Sequence, residues 1–461
     1  MVTRAGLTHE RPPYHIDSVR EGNRDVPVTE EIVLSLPFGS LLRFRKDSEA
    51  PQAKVLVVAP MLWSSRLGHT MLSQMGIAII ACLSYNILLG QGGMLSFGHA
   101  VYTGLGSFIA IHAMNMATKG SVHIPLVFIP LVGGLAGAFF AILLGFVTTK
   151  KSGTTFAMIT LGIGELVASM ALMFPEFFGG EGGITTDRVY GKAFFGISFG
   201  PAIQVYYLIA AYCFVCTAAM FAFTGTPLGR ILNAVRDNPE RVEFIGYNTQ
   251  RVRYFAFIIA GFFAGIGGGL ATINFEIITG ADSLSVIRSG GYLLFTFLGG
   301  ATFFFGPIIG AVLLVLASVL LSELSKAWLL YLGLVFLFMV MYAPGGIASL
   351  IMMNLRLAKY GKLRQLWSSY LALGGTALVG VMGAACMIEM TYHLQLNAAL
   401  GPELTFLGAT LNAAGFTSWF GAIFVMVTGF GLFELCRRQF LRQWSTIQEE
   451  IEHEIKRGEA L

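Results

Sequence analysis

Thr226-Pro-Leu-Gly-Arg-Ile-Leu-Asn-Ala-Val-Arg-Asp-Asn-Pro-Glu-Arg-Val-Glu-Phe-Ile-Gly-Tyr-Asn248 separates two apolar runs, 202–224 and 254–275. The stretch is too long for a simple turn between helices. It reads as two short helices. Arg230 to Asp237 makes the first. Asn238 then has the side chain of an N-cap, Pro239 takes the favoured first helical position, and Glu240 complements the helix N-terminus. Gly246 is a natural stop, so the second helix runs from Pro239 to Ile245. Val242 and Ile245 are expected on one face, with Arg241 and Glu243 pointing elsewhere. A capped helix set between two membrane-length runs suits contact with a soluble partner. A loop packed on its own protein is the alternative.

The flanking runs fix the fold class. About twenty apolar residues cross a bilayer as a helix. Such runs occur at 52–67, 70–90, 98–117, 123–148, 154–175, 202–224, 254–275, 285–303, 305–322 and 326–343, with two more at 367–388 and 416–436. The first is short and contains Pro60. Within 285–322, Gly299-Gly300 and Gly306-Pro307 mark either a turn or a broken helix. An all-α, polytopic transmembrane bundle of about 10–12 spans follows. Composition agrees: of 461 residues, 55% are hydrophobic and 12% charged, with a mean hydropathy of +0.70. Soluble domains carry about 25% charged residues. The 56 glycines suit helices in close contact within lipid. A net charge of +4 without a basic run gives no reason to expect nucleic acid. Cys213 and Cys216 form a CxxC inside an apolar run, which reads as two small apolar residues one turn apart rather than a redox or metal pair.

Orientation follows from Lys and Arg. The basic breaks are Lys150-Lys151, Arg230 to Arg253, Arg356 to Arg364, and Arg437-Arg438 with Arg442. Two, four and two runs separate them, so all four fall on one side, the cytoplasmic one. Both termini are then cytoplasmic. The first 50 residues hold 15 charges and no early apolar core, so they read as a cytoplasmic, solvated, partly disordered arm rather than a signal peptide. Leu34 to Leu42 is the part of it suited to the membrane surface. Glu165 and Arg288 are the clear charges within the spans. An intramembrane charge is a functional candidate; a structural pair is the rival reading for Glu165, and an interfacial position for Arg288.

Leu228 to Asn248 resembles the cytoplasmic coupling loop of the branched-chain amino acid ABC transporter permeases of LivM type, which reads like GRALRAIRENExAAEALGI. The matching positions are Gly229, Arg230, Ala234, Arg236, Asp237, Asn238, Glu240, Ile245 and Gly246. Pro239 and the run Arg241-Val242-Glu243-Phe244 depart from it. Other segments resemble the family in its own order. Tyr85 to Ala100 is similar to LNLLVGYAGQLSLGHA, Thr155 to Leu166 to YFAIVTLGFGEI, and Gly179 to Ile184 to a glycine-rich external loop. Phe257 to Leu270, Leu298 to Pro307 and Met341 to Ile347 resemble its last spans. The resemblance covers about 68–350.

The resemblance implies a non-enzymatic permease subunit of an ATP-binding-cassette importer in the bacterial inner membrane. Its partners would be two ABC ATPase subunits, a second homologous permease and a periplasmic substrate-binding protein, within membrane lipid. Branched-chain or related amino acids are the implied substrates. The nine coupling positions would dock on the ATPase; Asn86, Ser96, His99 and Glu165 become candidates along the translocation path. For Asn86 and His99, the other reading is capping of broken backbone at the glycine-rich turn. No cofactor is expected in this chain, ATP being used by the partners. Three parts follow: an arm at 1–50, the permease domain at 51–350 with its coupling loop at 226–253, and an extension at 351–461 with two spans and a charged tail, which the family usually lacks.

Rival classes make different demands. An ion-coupled secondary transporter needs ionisable groups near the midplane, often in inverted repeats; Glu165 is nearly alone and no clear repeat is visible. A passive channel for a small polar solute needs no capped docking helix. A membrane enzyme needs paired carboxylates, metal-spaced His and Cys, or a nucleophile with its base. The sequence has no G-x-x-x-x-G-K-[ST], so the ATPase lies on another chain.

Overall fold

The computed structural model describes residues 18–21, 24–36, 39–46, 60, 65–120, 123–190, 198–396, 401–406 and 409–459. The chain divides into two units, Met1–Leu62 and Trp63–Leu461. In the first, β1 (Ser18–Glu21), β2 (Arg24–Leu36) and β3 (Gly39–Lys46) form an antiparallel sheet in that order. Ile32 faces Leu42 and Leu34 faces Leu41. The expectation of a partly disordered arm therefore gives way, over these residues, to strands rich in Val, Ile and Thr, which favour an extended backbone. The first expected span, 52–67, lies outside the described residues except at its end and at Pro60.

The second unit is helical. The other eleven apolar runs all fall on helices: α1 (Arg66–Asn86), α2 (His99–Thr118), α3 (Ile129–Thr148), α4 (Thr154–Met173), α5 (Ala202–Gly225), then α6 (Pro227–Asp237) and α7 (Pro239–Phe244) within the quoted stretch, then α8 (Thr249–Phe275), α9 (Val286–Gly299), α10 (Gly306–Leu316), α11 (Trp328–Tyr342), α12 (Gly346–Lys359), α13 (Leu363–Leu396) and α14 (Phe416–Glu459). Among the described residues seven helices are long and apolar enough to cross a membrane, and α11 with α12, bent by 51°, makes an eighth. The remaining runs differ for visible reasons. Polar His99, Thr103, Ser107, His112 and Asn115 interrupt α2. The 285–322 stretch is a hairpin: α9 stops at Gly299, the chain turns through 300–305, and α10 continues as a widened π turn to Leu321. Gly299, Gly306 and Gly310 let the two arms meet backbone to backbone.

α8 is the central helix. It lies against α2 and α3 along Gly261, Gly265 and Gly269, facing Gly133 and Gly137 at the same four-residue spacing. A Cβ on Gly133 would come within 2.6 Å of the Gly265 carbonyl, and one on Gly106 within 2.7 Å of the Gly265 Cα. Small residues at this spacing are how helices associate in lipid, where burying leucine gains nothing. The opposite face of α3 carries Leu135, Phe139 and Leu143, all exposed, as a hydrocarbon surround requires.

Candidate coupling face and translocation path

Thr226 caps α6 by accepting from the Gly229 N–H at 3.2 Å, with Pro227 at the first helical position. Leu232 and Val235 are buried, seating α6 on the bundle, while Arg230, Ala234 and Asp237 face out. Gly229 is buried where a Cβ would strike the Phe223 carbonyl. Asn238 caps α7 as its sequence predicts, Oδ1 accepting from the Arg241 N–H at 3.1 Å. Glu240 is exposed in the first turn of α7. At the other end Gly246 adopts φ +94°; its N–H donates to Glu243 O, and the Tyr247 N–H donates to Val242 O. This six-to-one and five-to-two pair of bonds is a Schellman stop.

One expectation is overturned. Ile245 keeps right-handed helical angles, yet it and Val242 do not share surroundings: Val242 is 4% exposed and Ile245 75%. Phe244 beside it is 89% exposed. Two large apolar side chains thus stand exposed at the tip of the segment, just before the left-handed glycine turns the chain.

Arg236 joins this segment to the first helix break. Its guanidinium donates to the Gly90 carbonyl at 2.5 Å and pairs with Asp237 at 2.9 Å. Its stem crosses Gly93, where a Cβ would come within 2.7 Å of Arg236 Cγ. α1 ends in a π turn, Ile87–Gln91, beyond which the chain runs back into the bundle without helical structure until His99. Broken backbone at this depth needs internal partners. They are supplied from α1 itself and from distant helices: Tyr85 of α1 donates to Ser96 O at 2.9 Å, Thr160 of α4 accepts from the Phe97 N–H at 3.2 Å, and Ser289 of α9 accepts from the Ala100 N–H at 3.0 Å. His99 Nε2 lies 2.9 Å from the Ser84 hydroxyl.

Asn86, Ser96 and His99 are thus all buried at this break, each with a side-chain polar atom that has no partner among the described residues. Glu165 is placed apart from them. It is exposed on α4, on a stripe with Met158, Leu166 and Leu172, while Phe156, Thr160, Gly164 and Val167 face inward. Residues the sequence did not single out also do work here: Ser84, Tyr85, Thr160 and Ser289 are ordinary polar residues in apolar runs, and only the fold shows what they hold. Arg288 sits in the first turn of α9 and pairs with Asp282 at 2.7 Å.

These features define a class: a polytopic helical membrane protein with a glycine-seamed core and a capped segment projecting from one face. Residues 69–344 match the family described as "Branched-chain amino acid transport system / permease component", and the chain belongs to that family. It is 28% identical over 305 residues to the high-affinity branched-chain amino acid transport system permease protein LivM of Escherichia coli strain K12, covering 61% of this chain and 70% of that one. With LivM of Salmonella typhimurium the identity is 28% over 66% of this chain and 75% of the relative. The galactose/methyl galactoside import permease protein MglC of Haemophilus influenzae is 26% identical over 52% of this chain and 74% of its own. No solved structure matches the chain.

Proposed function

We propose that this chain forms one half of the translocation pathway of an ATP-binding-cassette importer for branched-chain or related amino acids. It sits in the bacterial inner membrane with both termini cytoplasmic. The α6–α7 segment docks on an ATPase subunit, the α4 stripe faces a second homologous permease, and a periplasmic binding protein delivers the solute. ATP is used by the ATPases, and this chain carries no cofactor of its own.

The observation that carries the reading is the exposure of Phe244 and Ile245 at the tip of a doubly capped helix, off the membrane-spanning bundle. Apolar tips of this kind in water mark a partner surface. Glu165 supports the second contact: a carboxylate in the middle of an exposed apolar stripe is costly against lipid and suited to a polar path between two subunits. The substrate class rests on the family description and on the two LivM relatives. Mechanically, closure of the ATPases moves α6–α7, and Arg236 passes that movement to the Gly90 break and so to the largely buried 94–98 segment. Gly229, Arg230, Ala234, Asn238, Glu240 and Gly246 shape and orient the docking segment.

The test is a pull-down of the detergent-solubilised chain with mass spectrometry of what accompanies it. Walker-motif ATPases and a second permease should co-purify, and Phe244→Asp with Ile245→Asp should release the ATPases while the chain stays folded. A chain that purifies alone and moves solute in liposomes without ATP would replace this reading with a secondary transporter or channel.

A further inference from the structure

α12 leaves α11 at a bend of 51°, and Ser349, Met352, Met353 and Arg356 follow one another along it at helical spacing. Ala348 and Leu357 are the fully buried residues of the same helix. The 349–356 stripe lines a groove of about 750 Å³, a size in the range of roughly 300–1,000 Å³ that holds organic ligands. Trp444 and Gln448, one turn apart on α14, supply a second wall, and Phe303 of the 300–305 turn a third. The groove opens at the end of the bundle that carries α6–α7. Ala301 in the same turn lies against Gly90, whose carbonyl takes Arg236 of α6, and the Phe304 ring packs on Phe221 near the end of α5.

Its lining divides into two chemistries. Met352 and Met353 are 42% and 38% exposed, and with Phe303 they make an apolar surface at the edge of the membrane-spanning bundle. Arg356 is exposed at the polar end, its guanidinium has no partner among the described residues, and the lining includes no carboxylate. Arg437 and Arg438, by contrast, both close on Glu434 of their own helix. Trp444 is half-buried and stacks on Phe440 at 5.8 Å, and its indole N–H likewise has no partner among the described residues. Tryptophan and arginine in this arrangement suit the boundary between hydrocarbon and water.

An uncompensated cation there calls for an anion, and the apolar wall calls for something to cover it. Inorganic phosphate would leave the methionines and Phe303 bare. A zwitterionic lipid would bring an ammonium that meets no carboxylate. We propose that this groove holds one anionic phospholipid. Its phosphate takes the Arg356 guanidinium, with Ser349, Trp444 and Gln448 as hydrogen-bond donors, and its acyl chains lie along Met352, Met353 and Phe303. One wall belongs to α14, so the lipid is a bridge between the permease core and the extension, beside the contact of Leu357 with Ile447. The inference needs only that the helices span a membrane, and it stands apart from the import reading above.

The experiment uses the full chain in phosphatidylcholine nanodiscs. They carry a trace of either phosphatidylglycerol or phosphatidylcholine with a diazirine in the acyl chain, and photolabelled peptides are located by mass spectrometry. The glycerol lipid should label the peptides that span 349–356 and 440–448 roughly fivefold more than the choline lipid. Labelling of the exposed α3 face at Leu135, Phe139 and Leu143 should be equal for the two. Arg356→Gln should bring the groove to parity while its labelling by the choline lipid is unchanged, which reports that the groove is still formed. Arg356→Lys keeps the charge and should keep the preference. So should Arg364→Gln, at an exposed arginine of α13 outside the groove. Parity in the unaltered chain, the same preference on α3, or a preference that survives Arg356→Gln overturns the site. Loss of the preference in Arg364→Gln reduces the site to a diffuse basic surface. Competition by excess glycerol 1-phosphate would make it an anion site that does not use the acyl chains, and either result overturns the lipid assignment.

Discussion

α8 and the terminal pair α13–α14 are alike in composition and opposite in packing. Across the most apolar window, 83% of α8 is buried within the protein, against 11% of α13 and of α14. The difference lies in where glycine falls. In α8 the glycines form a seam, and two neighbouring helices press their backbones into it. α13 and α14 pack on each other from Lys362–Glu450 through Leu366 and Ile447 to Met390 and Ala422, closest where Gly380 and Gly383 meet Gly429 and Met426. The rest of that pair presents Leu371, Leu378, Val381, Phe420 and Phe424 outward. In water each such side chain would forgo about 1.5–3 kcal/mol of burial; in hydrocarbon it forgoes nothing. A long apolar helix in this protein is therefore part of the permease core where its small residues let more than one neighbouring helix press its backbone in. The terminal pair is an attachment: Glu389 accepts from Ser325 and Tyr331, and Leu366 and Ile447 close on Leu357.

Leucine at Gly265 attacks the seam at its tightest point, where the facing atoms are backbone and cannot give. Overpacking costs about 1–3 kcal/mol where side chains adjust, and Gly265→Leu should exceed that and abolish the monodisperse, folded protein in detergent. Gly374→Leu in α13 is the matched control, because nothing lies within 4 Å of its Cβ position. Equal thermal stability of the two variants would break the comparison. Next in size, Gly383→Leu pushes α13 off Met426 and should cost about 1–3 kcal/mol, confined to the pair. Limited proteolysis should then cut within 363–459 while α1–α12 stay protected. Cooperative loss of the whole bundle would make the extension part of the core instead.

How much of this was legible depended on range along the chain. Apolar length is a local property, and eleven runs were placed by it. The caps at Asn238 and Gly246 are local too, and the glycines at 299–300 and 306 announced the α9–α10 break. Helical periodicity puts Ile245 with Val242, but Ile245 is the C-cap just past the last helical residue and is exposed. Position in three dimensions was not available at all. Asn86, Ser96, His99 and Glu165 look equivalent as polar residues in apolar surroundings, yet three are buried at the α1–α2 break and one is exposed on α4. Nor does the sequence signal the Arg236 bond to Gly90, since a backbone carbonyl has no residue type to recognise. In 18–46 the many charges point to a solvated arm, while the Val, Ile and Thr scattered among them are what favour strands.

The α6–α7 segment stands between core and attachment, and its caps set a smaller effect. Asn238→Ala removes the bond to the Arg241 N–H and should cost about 1 kcal/mol. Because α7 is exposed, that loss should appear as faster hydrogen exchange at 239–246 with the melting temperature of the bundle unchanged. A shift of the global melt would mean that α7 is welded to the core as α8 is.

The smallest effect expected lies at the far end of the attachment. Lys362 Nζ meets Glu450 Oε2 at 2.7 Å, tying the start of α13 to the tail of α14 beyond the apolar windows. Glu450 is half exposed, so the pair works in water, where such contacts are worth roughly 0.2–1 kcal/mol and are screened by salt. Lys362→Met should therefore loosen the 440–459 tail slightly in low salt, read as proteolysis rate, and the difference from the unaltered chain should vanish in high salt. The glycine seam of α8 has no charge to screen. Salt should leave Gly265→Leu as damaged as before, and a salt response there would mean that the two regions are not held by different forces.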